Sequence, residues 1–582
     1  MSNSGTCKIK QEYVVSDQKK ELNLNHVSEK DRDSMEKSSK EISEPPSKKQ
    51  KFSKNKLKGQ NKARGPTYRV EKSEELCNTL INVIEGEEIP KCERNNCQFL
   101  HDISKYLEKK SKDIGDQCYN HEISGKCSRG LTCRFGNTHI NHSEGTNKVD
   151  QDKFLLYNSN GPYTHNILKH DVQVALRKRT YDFSLAEKCV KYVDYLKKND
   201  KEINNDDQTK TCGAVTDEDL ISVLQREKKN IDWKDKLYLS PLTTVGNLPF
   251  RRICKEFGAN ITCGEMAMCS SLLQGSPQEW ALLKRHKSED LFGVQLCANN
   301  PHLLAKCGQL LQNETNIDFV DLNMGCPIEM VYKSGAGCGL MRRTKVLESS
   351  VRSISTILDV PFTIKMRMGV YNNENIAHTL APKLKEFGAS LLTIHGRSRE
   401  QRYTKSANWE YIETVAKAVD GLPVFGNGDI LSYEDYVKAR QTAPSTCGVM
   451  IGRGALIKPW IFTEIKEQKL WDISSSERFD IIKKYVNYGL EHWGSDNRGV
   501  ENTRRFLLEW LSFLYRYIPV GLLETPPQKI NERPPLYKGR DELETLMASP
   551  SASDWIKISE MLLGPVPDNF HFLPKHKANS YS

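Results

Sequence analysis

Eight short apolar runs recur across the middle of this 582-residue chain, at 236–242, 260–264, 291–297, 317–323, 362–368, 391–395, 423–426 and 448–452. Between them lie seven stretches with helical spacing, at 251–257, 277–286, 301–311, 345–358, 376–387, 409–419 and 433–440. Continuous apolar strands alternating with amphipathic helices predict a parallel sheet covered on both faces. Eight such units in roughly 225 residues predict a (β/α)₈ barrel, with a doubly wound open sheet as the second topology.

In a barrel of this kind the reactive groups sit where the strands end. The first run ends in Pro241, Leu242 and Thr243, and the third carries Gln295. The fourth ends at Asn323 and leads to Cys326, flanked by Gly325 and Pro327. The fifth holds Lys365 and Arg367, and the sixth ends His395-Gly396-Arg397. The seventh runs into Asn427-Gly428-Asp429, and the eighth into Gly452-Arg453-Gly454. Gly325 and Pro327 force a turn that fixes the Cys326 sulfur at a strand end. Two roles fit it, a reactive thiol or a small core residue. Glycines after strands seven and eight suit close approach of backbone N–H groups to a phosphate, with Arg453 adding charge; glycines that merely end strands are the plainer account. The basic loop carrying Arg397, Arg399 and Arg402 predicts a polyanionic substrate.

Residues 71–142 follow other rules. Cys77, Cys92, Cys97 and His101 are followed by Cys118, Cys127, Cys133 and His139. Two sets of three cysteines and a histidine, in a segment with little core to bury thiols, predict two tetrahedral Zn²⁺ sites. They resemble CCCH zinc fingers, whose pattern is C-x7–8-C-x5-C-x3-H. The first set departs in the gap from Cys77 to Cys92, and the second in the late His139, with His142 as an alternative ligand. Phe99, Tyr106, Tyr119 and Phe135 are expected either to stack on RNA bases or to pack around the metals.

The remaining segments carry less chemistry. Residues 1–70 hold 17 Lys+Arg against 9 Asp+Glu and are expected to be disordered. Their run from Lys48 to Arg69 contains no acid, and reads as an import signal, a nucleic-acid arm or a solubilising tail. Residues 143–235 read as a polar linker, and 471–582 as a helical region expected to bind RNA. There Arg504, Arg505 and Arg516 beside Trp510 and Tyr515 suit either RNA contact or an ordinary core. The N-terminus has no apolar signal core, and no run of about 18 apolar residues occurs. The expectation is a cytoplasmic or nuclear protein with no membrane span, no obligate protein partner and cysteines kept reduced.

The strand-end residues closely resemble the tRNA-dihydrouridine synthases. The match lies in Pro241-Leu242-Thr243, Asn323-Met324-Gly325-Cys326-Pro327, Lys365-Met366-Arg367-Met368-Gly369, His395 through Gln401, Gly426 through Ile430 and Ile451 through Ala455. The upstream Cys/His sets, and the tail through Leu563–Pro567 and 573–579, resemble the family's eukaryotic zinc-finger branch. The resemblance implies an FMN-binding barrel that reduces the 5,6 double bond of a uridine in tRNA, at position 47 in that branch, with NADPH or NADH re-reducing the flavin. It implies hydride delivery to C6 and protonation of C5 by Cys326. Pro241, Leu242, Thr243, Gln295, Lys365, His395, Asn427, Gly428, Asp429, Gly452 and Arg453 would hold the cofactor. Asn323, Arg367, Arg397, Arg399 and Arg402 would meet the substrate. Messenger RNA is left undecided as a second substrate. The competing readings are a small-molecule pyrimidine-reducing flavoenzyme and a zinc-finger RNA-binding protein with an inactive barrel; the basic loop opposes the first, and an intact Cys326, Lys365 and His395 the second.

Overall fold

The computed structural model describes residues 5–15, 70–203, 228–568 and 570–575. All eight expected strands form: β1 (Leu237–Leu239), β2 (Thr262–Cys263), β3 (Phe292–Cys297), β4 (Phe319–Met324), β5 (Phe362–Arg367), β6 (Leu391–His395), β7 (Val424–Asn427) and β8 (Gly448–Ile451). They pair in parallel in the order β1-β8-β7-β6-β5-β4-β3-β2. A single parallel bridge, Tyr238 to Ile261, brings β1 against β2 and closes the ring. The open-sheet alternative is therefore excluded.

Each strand divides its side chains between two environments, because successive residues face opposite sides. On β4, Val320, Leu322 and Met324 pack outward with Leu304 and Leu311 of α2 (Pro301–Glu314) and with Val351 and Ile354 of α3 (Thr344–Ile357). Each such buried aliphatic chain contributes about 1.5–3 kcal/mol. Phe319, on the inward side, joins Tyr238, Leu391, Phe425 and Met450 in a layer that fills the N-terminal end of the barrel. Trp233 plugs that layer edge-on, its ring 5.6 Å from Phe319. Farther along, the inward positions become polar: Asp321 and Asn323 on β4, Thr363 and Lys365 on β5, Thr393 and His395 on β6. The barrel thus grades from an apolar base to a polar mouth.

The segment expected as a polar linker packs on the barrel over its described parts. In the helix Ser184–Ile203, Ala186, Cys189 and Val190 pack against Ala305 of α2 and Ile357 of α3. The Ala186 N–H donates to Gln309 at 2.9 Å, and Lys197 pairs with Glu348 at 3.1 Å. Low average hydrophobicity hides this narrow stripe, since three small apolar residues suffice when the opposite helix face is solvated.

Residues 5–15 also depart from the expected disorder. Cys7 and Ile9 are buried against Ile518, Leu522, Leu523 and Tyr537. Bridges at Thr6–Arg533, Ile9–Leu523 and Val14–Tyr537 fasten the segment to the C-terminal region. The basic run between Lys48 and Arg69 lies outside the described residues.

The C-terminal helices share one core with the barrel. α7 (Ser475–Trp493) begins with a capping box from Ser474 and Glu477, and α8 (Asn497–Leu514) with Asp496 as its cap. Trp510 is buried and donates its indole N–H to the Leu456 carbonyl just beyond β8. Arg504 is buried too, bonded to Ser559 and to the carbonyls of Leu563 and Gly564. These two side chains are buried and hydrogen-bonded within the protein, as the ordinary-core reading expects.

Candidate active site and metal centres

At the mouth, a chain of hydrogen bonds runs across three strands to the turn that carries Cys326. Thr363 Oγ1 donates to Asp321 Oδ1 at 2.6 Å, and Gln295 Nε2 donates to Asp321 Oδ2 at 2.8 Å. Asn323 Nδ2 in turn donates to Gln295 Oε1 at 2.8 Å. Asn323 Oδ1 then accepts the N–H groups of Gly325 at 3.1 Å and Cys326 at 2.9 Å. This side-chain-to-backbone clamp sets the turn. Arg367 grips it from the neighbouring strand, donating to the Gly325 carbonyl at 2.8 Å and the Ser398 carbonyl at 2.9 Å.

Cys326 itself is 9% exposed. Burial pushes its thiol above the ordinary value of 9.0, against smaller downward pulls from the Ile328 backbone and Arg367. The result is a sulfur that stays protonated. Asp321 is pushed up to about 6 by burial, partly offset by its bonds to Gln295 and Thr363. Neither Asp321 nor Thr363 stands out in the sequence. Polar residues at every second position of an apolar strand were the available signal.

Lys365 lies across the ladder from Asn323, and Arg367 across from His395, which faces Asn427 on β7. Burial and Arg367 lower Lys365 to about 8, and its Nζ makes no hydrogen bond among the described residues. His395 is held well below 6.5 by burial and by the cations Arg367 and Lys365, and so stays neutral. A partly buried amine without a partner calls for an electron-rich or anionic group. The donor set fits the isoalloxazine and ribityl chain of FMN. Pro241 and Leu242 line the same end of the barrel partly buried, with Thr243 exposed beside them.

The loops after β7 and β8 hold a different arrangement from the one expected. Asp429 takes a left-handed φ of 50° and accepts from Arg397 at 2.5 Å, Ala407 N–H at 2.7 Å and Arg453 at 2.6 Å. It ties three loops together. Arg453 also stacks on the Tyr403 ring at 4.1 Å, and Tyr403 lies parallel to His395. A Cβ at Gly428 would come 2.4 Å from Ala407, and one at Gly454 2.1 Å from the Ile430 carbonyl, so packing requires both glycines. At Gly452 the nearest atom would be 3.5 Å away, so packing does not demand a glycine there. Asn427 donates to the Met450 carbonyl at 2.8 Å.

The arginines separate as well. Arg397 is 0% exposed and spent on Asp429 and the Lys405 carbonyl, so it shapes the pocket from inside rather than meeting substrate. Arg367 is likewise buried behind the Cys326 turn. Arg399 lies over Tyr332 and pairs with Glu329 at 2.5 Å. Arg402 alone of the four is exposed, with no ion pair among the described residues.

Both Cys/His sets are assembled. Cys77, Cys92, Cys97 and His101 converge, as do Cys118, Cys127, Cys133 and His139, with all ligand atoms of each set within 4.8 Å of one another. Sulfur separations of 3.6 and 3.8 Å in the first and 3.7 Å in the second match the ~3.8 Å edge of a tetrahedron with 2.3 Å Zn–S bonds. His139 is 0% exposed, and neither ring nitrogen has a hydrogen-bond partner. A metal would satisfy that deficit. His142 is exposed and outside the cluster. The aromatic residues pack: Phe135 is buried in the shared core, Phe99 and Tyr106 lean on the cluster around Cys77, and Tyr119 faces Tyr488.

The family model described as dihydrouridine synthase (Dus) matches residues 238–512. A Xenopus tropicalis protein named tRNA-dihydrouridine(47) synthase [NAD(P)(+)]-like is 55% identical over 551 residues, 92% of this chain and 85% of that one. Its namesake in Homo sapiens is 52% identical, over 87% of this chain and 81% of the other. A third, in Oryza sativa subsp. japonica, is 43% identical over 88% and 86%. With that likeness running across nearly its whole length, the chain belongs to the dihydrouridine synthase family.

Proposed function

We propose that this chain reduces the C5–C6 double bond of a uridine in tRNA, with Cys326 as the proton donor to C5. The relatives named above support tRNA as the substrate and NADPH or NADH as the electron source. Lys365, His395 and the Gly452 backbone would hold FMN in the mouth, and the cofactor, when bound and reduced, would supply the hydride for C6.

The observation that carries the reading is the Cys326 turn. A proton donor must keep its proton until negative charge develops on the base. Burial holds the Cys326 thiol protonated, and Asn323 fixes its backbone through two N–H groups. Asp321 and Gln295 hold Asn323 in turn. Lys365 presents a donor on the adjacent strand, where it can stabilise negative charge. His395, kept neutral, adds a donor without competing for the thiol proton. The target uridine must leave its stack to reach this site.

Residues of both Cys/His sets would each hold one Zn²⁺. The relatives' names support position 47 as the modified uridine. The test is to incubate the full chain with unmodified tRNA and NADPH, and with an unmodified messenger RNA in parallel, and to map dihydrouridine by position. Dihydrouridine at position 47 is the expected result. A yellow, NADPH-reducible protein that leaves every tRNA uridine intact would refute the reading.

A further inference from the structure

The rim beside the reactive thiol exposes apolar side chains. Ile328 is 45% exposed and Met330 75%, two and four residues beyond Cys326. An exposed apolar residue is ordinary by itself. These two are held in place. Met330 lies on the short helix Glu329–Lys333, whose Val331 is buried against Cys326 and Ala336. With Val331 fixed inward, Met330 is turned out. Glu329 pairs with both Lys333 at 3.3 Å and Arg399 at 2.5 Å, and Arg399 lies 3.8 Å over the Tyr332 ring. The apolar knob therefore stands on a braced platform that also carries the reactive thiol.

The surroundings indicate what meets it. Apart from the buried Arg397, segments 328–343 and 397–405 together hold six Lys+Arg against two Asp+Glu, which suits a phosphate backbone beside the knob. A base that reaches Cys326 leaves a gap in its own strand, and the lost stacking opposes the flip. Proteins that open nucleic-acid stacks insert Met, Ile or Leu side chains into such gaps. Methionine suits this use because its unbranched, polarisable chain adapts to a flat slot.

We propose that Met330, with Ile328 beside it, is a wedge that takes the place of the flipped uridine in the stack of the bound RNA strand. The proposal rests on the reading of Cys326 as proton donor to an RNA uridine. It adds to that reading the element that holds the uridine out.

The test compares wild type, Met330→Ala and Met330→Leu on an unmodified tRNA transcript. The same three are assayed on that transcript with abasic sites flanking the target uridine, where little stacking has to be broken. Met330→Ala lowers kcat/KM on the intact transcript by about ten-fold, and Met330→Leu by less than about two-fold. On the abasic-flanked transcript the ratio of wild type to Met330→Ala falls to about one. Reduction of the bound flavin by NADPH, measured without RNA, stays at the wild-type rate in all three and shows that the fold is intact. Equal losses on both transcripts overturn the wedge, as does a Met330→Ala variant equal to wild type on the intact one. If wild type forms no dihydrouridine on either transcript while NADPH reduces its flavin, the underlying reading fails and the wedge falls with it.

Discussion

The two Cys/His sets offer the same ligands to the same metal in opposite surroundings. In the second, all four residues are buried; in the first, only Cys77 is, and His101 is exposed. The second is built into the C-terminal region. Cys127 meets Ser495 at 3.5 Å, the Arg134 N–H donates to the Ser495 carbonyl at 2.8 Å, and Asn120 donates to the Leu490 carbonyl at 3.3 Å. Phe135 continues into the core formed by α7, α8 and the β8 side of the barrel. The first set packs on a small cluster of Leu76, Leu80 and Val83 that leans on Leu131 and Ile140 of the second set's segment and does not enter the barrel-side core. Identical ligand chemistry would therefore serve two ends: a metal in the second set would be a strut of the catalytic unit, and one in the first would hold together a more exposed module whose surface we propose is open to RNA.

That contrast can be broken. Cys133→Ser should cost on the order of 5 kcal/mol in urea unfolding followed by flavin absorbance, because the metal's binding energy is folding energy for the shared core. Cys97→Ser should leave the same midpoint unchanged and weaken tRNA binding by about ten-fold. Equal shifts from both variants would erase the distinction. Packing should divide the same way. Phe135→Ala is expected to lose about 3 kcal/mol, as a large side chain removed from a closed core, and the partly buried Phe99→Ala about 1 kcal/mol. The smallest effect sharpens the comparison kinetically: a colorimetric chelator should draw one zinc equivalent quickly and the second only as the chain unfolds. Release of both in a single fast phase would contradict the buried placement of Cys118, Cys127 and Cys133.

How legible this was depended on how locally each feature is encoded. The barrel strands announced themselves, because each is a continuous apolar run in which both faces are buried. Cys326 was legible from Gly325 and Pro327, and the metal ligands from spacing. Asp321 and Thr363 were not, since a lone polar residue inside an apolar run gains its meaning only from partners on β3 and β5. The arginines misled for a related reason. The sequence shows a basic loop, and only the fold shows that Arg397 turns inward to Asp429 while Arg402 faces water. Residues 5–15 gave no signal of their own, because their partners lie some five hundred positions away.

The contrast extends from metal-bound sulfurs to the reactive one. The cluster cysteines would bind zinc as thiolates, whereas a proton-donating Cys326 has to remain a thiol. Since burial raises its pKa, the protonated form persists as pH rises through 9.0, and is lost only above that value. The limb that Cys326 sets should therefore lie above pH 9, beyond a partial decline near pH 8 as Lys365 loses its charge. A limb near pH 7 would place a different acid in the role.

The central claim is that the Cys326 thiol delivers the proton to C5. Cys326→Ala, reduced with NADPH and mixed with unmodified tRNA, tests it most directly, by following flavin reoxidation and product together. The account predicts bound flavin and normal reduction by NADPH, with dihydrouridine formation slowed by a factor of about 10² or more. Product formed at close to the wild-type rate would contradict it.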